Sequence, residues 1–82
     1  MATLTYYGRL ADDAGVFQET LRLPDDVRDV DGLRAWAQDV RGLRLDAGGR
    51  AVRIALNDEI VRGDAPVRDS DDIAFLPPVG GG

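Results

Sequence analysis

The chain has 82 residues, 44% hydrophobic and 30% charged, which is enough for one small globular core and too few for two. Lys and Arg number 10 against 15 Asp and Glu, a net charge of −5, so the chain lacks the electropositive footprint of a nucleic-acid binder. There is no Cys and no His, and all ten basic residues are Arg. Disulfides, Cys/His zinc sites, Ser-His-Asp or Cys-His nucleophiles and lysine Schiff bases are therefore excluded.

Thr3 to Gly8 has the Thr, Leu and Tyr content of a strand. Ala11 to Gly15 reads as a polar connection, and Val16 to Leu23 as a second strand stopped by Pro24. The two are adjacent in sequence and predict an antiparallel hairpin. The period then changes. Val30, Leu33, Ala37 and Val40 recur every three or four residues beside Trp36, one face of a helix from about Val30 to Arg41. Asp29 is its expected N-cap, Gly42 its expected end, and Arg34, Gln38, Asp39 and Arg41 its expected solvated face.

Asp46 to Arg50 is a Gly-Gly turn, and Val52 to Asn57 alternates as a strand with Val52, Ile54 and Leu56 on one side. Asn57-Asp58-Glu59 suits a tight turn into a short strand at Ile60-Val61. Asp64-Ala65-Pro66 and Asp69-Ser70-Asp71-Asp72 are turn-rich connections before a last strand, Ile73 to Leu76. That last strand is also the longest apolar run, far short of the roughly 18 residues of a membrane helix. The order β-β-α-β-β with one amphipathic helix predicts a two-layer α+β domain, a mixed sheet packed on one main helix. The β-grasp, or ubiquitin-like, architecture is the simplest arrangement of that order.

Little in this pattern offers side-chain chemistry. The carboxylate pairs Asp12-Asp13, Asp25-Asp26 and Asp71-Asp72 sit in turns and match no calcium-loop spacing. Gly48-Gly49 lacks the lysine of a phosphate-binding loop. No metal site is expected. Tyr6 and Tyr7 are neighbours on a strand, so alternation sends one ring into the core and the other outward. With one helix available, the outer sheet face has no cover, and an outward Tyr7 there is a candidate partner contact.

The end of the chain is the unusual feature. Pro77-Pro78-Val79-Gly80-Gly81-Gly82 follows the last strand directly. Two prolines cannot continue a ladder, and six residues reach at most about 20 Å. This divides the chain into a domain, residues 1–76, and an extended tail, residues 77–82. In a protein without Cys, His or Lys, the Gly82 carboxylate is the best-presented group for covalent chemistry. A carboxylate is a poor electrophile and must first be activated, for example as an acyl-adenylate.

These residues carry a resemblance. Val52 to Asn57, Pro66 to Val79 and the terminal Gly81-Gly82 resemble the molybdopterin synthase small-subunit family, the MoaD/ThiS group of ubiquitin-like sulfur carriers. The most specific part is Ala74-Phe75-Leu76-Pro77-Pro78-Val79 running into the diglycine. Gly80 departs from the Ser, Thr or Ala usual there, and Asp69-Ser70-Asp71-Asp72 departs from Asp-Gly-Asp.

The resemblance implies a function. An ATP-dependent adenylyltransferase activates Gly82, with Gly81 beside it, and a sulfurtransferase or cysteine desulfurase system converts it to a thiocarboxylate. The carrier then docks on the large synthase subunit and donates sulfur to cyclic pyranopterin monophosphate, building molybdopterin for the molybdenum cofactor. The resemblance also implies that no cofactor is bound permanently and that ATP is used only by the activating enzyme. Catalytic side chains belong to the large subunit, and Tyr7, Phe75, Leu76, Pro77, Pro78, Val79 and Gly80 are the partner contacts. A cytoplasmic protein without nucleic-acid or membrane partners is expected, since Met1 to Thr5 has neither a basic nor an apolar leader. The alternatives are a carrier for thiazole, cysteine or tRNA thiolation, a protein modifier linked through Gly82, or a non-catalytic ubiquitin-like interaction module.

Overall fold

The computed structural model describes residues 1–45 and 52–77. It contains strands β1 (Ala2–Tyr6) and β2 (Gln18–Leu21) with a short helix α1 (Arg9–Ala14) between them, then the main helix α2 (Val30–Val40). Strands β3 (Arg53–Leu56), β4 (Glu59–Ile60) and β5 (Asp72–Leu76) follow. The strands form one five-stranded sheet in the order β2-β1-β5-β3-β4. The two central strands, β1 and β5, are parallel, and every other pair is antiparallel. This is the expected mixed sheet on one main helix. The turn expected at Asp46 to Arg50 lies outside the described residues.

The inward parity of the sheet meets α2. Leu4 and Tyr6 of β1, Ile73 and Phe75 of β5, and Ile54 of β3 are all 0% exposed and join Val30, Leu33 and Ala37 in one core. Asp29 caps α2 as expected, its Oδ1 accepting from the Gly32 N–H at 2.7 Å. Two more free N–H groups of the first turn find acceptors in the connection before β5. Val30 donates to the Ala65 carbonyl and Asp31 to Asp64 Oδ1. Gly42 ends the helix at φ 70°, a region that favours glycine.

Three expectations about the helices are corrected. Ala11 to Gly15 is not a plain connection, because Arg9–Ala14 is helical. Six residues cannot hold a helix by propensity alone. Burial of Leu10 at 0% exposure, worth about 2 kcal/mol, stabilises it, and Gly15 at φ 81° ends it. Val40 is 53% exposed rather than core, because Leu43 and Leu45 take the next core places after the reversal at Gly42. The helix face expected to be solvated is partly engaged: Arg34 donates to the Val52 carbonyl at 2.7 Å, and Arg41 pairs with Glu19.

The β3–β4 turn is as expected. Asn57 and Asp58 have φ 52° and 71°, the left-handed pair of a type I′ hairpin, which Asn and Asp tolerate best among residues with side chains. Asp71 also acts as a turn former. Its carboxylate accepts from the Arg68 N–H at 2.8 Å and from Asn57 Nδ2 at 3.1 Å, tying the turn before β5 to the hairpin.

Candidate functional site

Because β5 runs parallel to β1 in the middle of the sheet, the chain leaves β5 beside the end of β1. The register sets Tyr6 opposite Phe75, and the next N–H, that of Tyr7, donates to the Phe75 carbonyl at 3.1 Å. Gly8 follows at φ 58°, and a Cβ placed there would stand 3.0 Å from Pro77 Cγ. The root of the tail is therefore held from one side by backbone, and a side chain at position 8 would crowd the Pro77 ring and strain a φ of 58°. Gly80, Gly81 and Gly82, with Pro78 and Val79, lie outside the described residues.

The expected partner contacts separate by strand parity. Tyr7 is 42% exposed, as the alternation of Tyr6 and Tyr7 predicts. Leu76 is half-buried on the outward face, registered against Arg53 of β3, and Pro77 is half-buried at the exit. Phe75 is a correction. Its side chain is 0% exposed and stacked on the Tyr6 ring with centroids 5.2 Å apart, because it shares the inward parity of Ile73. A partner docking on the folded chain does not meet the Phe75 ring.

The outward face of the sheet centre is nearly uncharged. The register aligns Thr5, Ala74, Ala55 and Ile60 across β1, β5, β3 and β4. Ile60 is 46% exposed, and neither α1 nor α2 contributes to this side. Sequence reasoning missed Ile60 as a contact candidate. The signal was available, because a two-residue turn after Leu56 fixes the register and sends Ile60 outward beside Ala55. Phe17, which meets Tyr7 edge-on at 5.7 Å, was likewise missed.

Behind the tail root, on the inward face, a polar network holds β1, β2 and α2 together. Tyr6 donates its hydroxyl to Glu19 Oε2 at 2.5 Å. Arg41 makes a two-point contact with the same carboxylate, Nε to Oε2 at 2.7 Å and Nη2 to Oε1 at 2.8 Å, while its guanidinium lies 4.9 Å from the Trp36 ring centre. The Arg41 hydrogen bonds hold the Glu19 carboxyl below its ordinary range, against the opposing effect of burial. Burial and the adjacent carboxylate push the Tyr6 hydroxyl up, so it remains a donor. This network has all its partners and orients the strands that carry the tail.

Among the described residues, no group of three or more His, Cys, Asp or Glu side chains could hold a metal ion. The hollow beside β4 is lined by Leu56, Asn57, Glu59, Ile60, Val61 and Ala65, which supply no nucleophile–base pair. No helix among the described residues is long and apolar enough to cross a membrane. What the geometry offers is a held tail root next to an outward sheet face of mixed Thr, Ala, Leu and Ile character.

Comparison with known proteins agrees with that geometry. The ThiS family profile matches residues 4–82, and the chain belongs to this MoaD/ThiS family of ubiquitin-like sulfur carriers. A Pyrococcus furiosus protein named as molybdopterin converting factor, subunit 1, is 26% identical with a TM-score of 0.72, over 95% of this chain and 97% of that one. A protein–protein complex of subunits 1 and 2 of the molybdopterin-converting factor from Helicobacter pylori contains a chain 29% identical with a TM-score of 0.61, over 99% of this chain and 97% of that one. Small archaeal modifier protein 1 of Haloferax volcanii shares the fold, with a TM-score of 0.72 at 16% identity, over 95% of this chain and 97% of that one. No curated protein matches the chain. The fold is the ubiquitin-like β-grasp.

Proposed function

From membership of the ThiS family, we propose that this chain is the sulfur-carrying small subunit of a molybdopterin synthase. The observation that carries the proposal is the family match running through Gly82, the end of a tail whose root is gripped at the open face. An ATP-dependent adenylyltransferase joins the Gly82 carboxylate to the α-phosphate of ATP and releases pyrophosphate. The outer sulfur of a persulfide on a sulfurtransferase or cysteine desulfurase attacks the acyl-adenylate carbonyl and expels AMP, and a thiol then cleaves the resulting acyl disulfide, leaving the thiocarboxylate and a disulfide. The thiocarboxylate sulfur then passes to cyclic pyranopterin monophosphate, and the carrier returns as a carboxylate.

The division of labour that the family implies agrees with the composition. A chain without Cys, His or Lys supplies the sulfur, and a large subunit supplies basic and catalytic side chains. The H. pylori relative, a complex of subunits 1 and 2, supports such a partner. The outward sheet face with Tyr7, Leu76, Pro77 and Ile60 is the surface that partner covers, and Gly81 is the narrow last link that enters its active site. The net charge of −5 favours encounter with a more basic partner. The whole cycle runs in the cytoplasm, where ATP is available.

The test is reconstitution. Thiocarboxylated chain mixed with a large synthase subunit and the pterin precursor is expected to yield molybdopterin in proportion to the sulfur supplied. Transfer of that sulfur only to a thiazole, cysteine or tRNA thiolation system would move the chain to another branch of the family.

A further inference from the structure

Independently of that reading, we propose that the free edge of β2 pairs with the same edge of a second copy of this chain, antiparallel and about a two-fold axis through Thr20. β2 is the outermost strand on its side of the sheet, and its outer edge has no strand partner among the described residues. The sheet hydrogen bonds identify the groups on that edge. Tyr6 donates to the Phe17 carbonyl, whereas Thr3 and Tyr7 donate to the carbonyls of Asp71 and Phe75 on the β5 side. Even-numbered residues of β1 therefore bond to β2, and in the register Ala2↔Leu21 and Leu4↔Glu19 their partners are the odd-numbered residues of β2. The backbone N–H and C=O groups of Gln18 and Thr20 point away from β1. Leu23 continues the inner row, its N–H donating to Asp69 Oδ1 at 2.7 Å, so Arg22 continues the outer one.

The outer row is complementary to itself. The two-fold axis sets Thr20 opposite its own counterpart and Gln18 opposite Arg22 of the second copy. Every outward N–H then meets a carbonyl, and no like charges face each other. The side chains agree. Thr20 Oγ1 lies 3.4 Å from Thr3 Oγ1 on the outward face, and Gln18 Nε2 donates to Thr5 Oγ1 at 3.0 Å. The axis extends the threonine row into the second copy, and such cross-strand pairs are favourable. Nothing guards this edge: it carries neither proline nor lysine, and the Glu19 carboxylate between Gln18 and Thr20 turns inward to Arg41. The opposite edge of the sheet, β4, is only two residues long and carries the exposed Glu59, which blunts it. Because the match is between the β2 edge and itself, the occupant is a second copy and not an unrelated strand. The axis turns that copy end for end, and β1 separates the contact from the strand that bears the tail, so both tails stay free. A strand-edge contact of this length is small, and the dimer is weak and concentration-dependent.

The experiment follows the full chain by sedimentation equilibrium from about 10 μM to about 1 mM, with amide hydrogen exchange at both ends of the range. The weight-average mass is expected to rise toward twice that of one chain, and the Thr20 amide to exchange more slowly at the higher concentration. Thr20→Pro removes an outward donor without touching the ladder to β1, and Thr20→Arg sets two guanidinium groups face to face across the axis while lowering the net charge. Both variants are expected to raise the dimer dissociation constant at least about tenfold and to be adenylated at the parent rate. Thr20→Arg, which keeps the backbone donor, is expected to melt like the parent and decides the matter if the proline variant does not fold. A parent that keeps the mass of one chain to about 1 mM would overturn the inference. So would a dimer that Thr20→Arg leaves intact, or one in which the Thr20 amide gains no protection. None of these results touches the functional reading, which sulfur transfer tests separately.

Discussion

The two faces of the central strands differ in their residues and in what packs against them. Inward, Leu4, Tyr6, Ile73 and Phe75 are wholly buried against α2. Outward, Thr3, Thr5, Ala74 and Leu76 line a face that no helix among the described residues covers. Tyr6 and Tyr7 are chain neighbours, as are Phe75 and Leu76, yet one of each pair is buried in the core and the other faces outward. A pleated strand changes a residue's role at every step, so chemical type alone assigns neither role.

The comparison can be broken at several points. Deleting Gly81-Gly82 removes the reacting group and no described contact; sulfur transfer should vanish while the thermal transition is unchanged. A parallel loss of folding would show that the tail belongs to the stabilising side. Next in size, Phe75→Ala should cost about 3–5 kcal/mol in denaturant unfolding, whereas Leu76→Ala should cost less than about 1 kcal/mol and weaken partner binding instead. The reverse ranking would refute the assignment by parity.

The polar network sharpens the comparison further. Glu19→Gln breaks a charged two-point contact and should cost about 1–3 kcal/mol at neutral pH. The sign of its pH dependence follows from the depressed Glu19 pKa. The stabilisation is fully present above the ordinary carboxyl value and is lost as pH falls through the lower folded-state value. The gap between parent and variant should therefore close on acidification, and a gap that stays constant would exclude an ionic origin. A small effect is also expected at Gly15. A Cβ there meets nothing within 4 Å, so Gly15→Ala should cost only the backbone strain of φ 81°, about 1 kcal/mol.

Much of this was legible in the sequence where local chemistry and periodicity agree. The Asp29 cap, the Gly42 stop, the Asn57-Asp58 turn and the split of Tyr6 from Tyr7 all follow from short-range rules. The misses share a different cause. The helix α1 exists because Leu10 finds a distant core, and Val40 is left outside because Leu43 and Leu45 arrive first; neither is a local property. At the site, Phe75 and Leu76 were named together because the motif Phe75-Leu76-Pro77 was read as one unit and not by parity, which buries Phe75 and turns Leu76 outward. Ile60 and Phe17 needed the strand register and the chain path at the end of β1, which only the assembled sheet supplies.

The central claim is that the chain works through its terminal carboxyl group. Intact and peptide mass analysis after incubation with the activating enzyme, ATP and a sulfide source tests it most directly. The account predicts replacement of one oxygen by sulfur, confined to the peptide ending in Gly82. An unchanged mass in a reaction that converts a known carrier, or sulfur located on any other peptide, would contradict it.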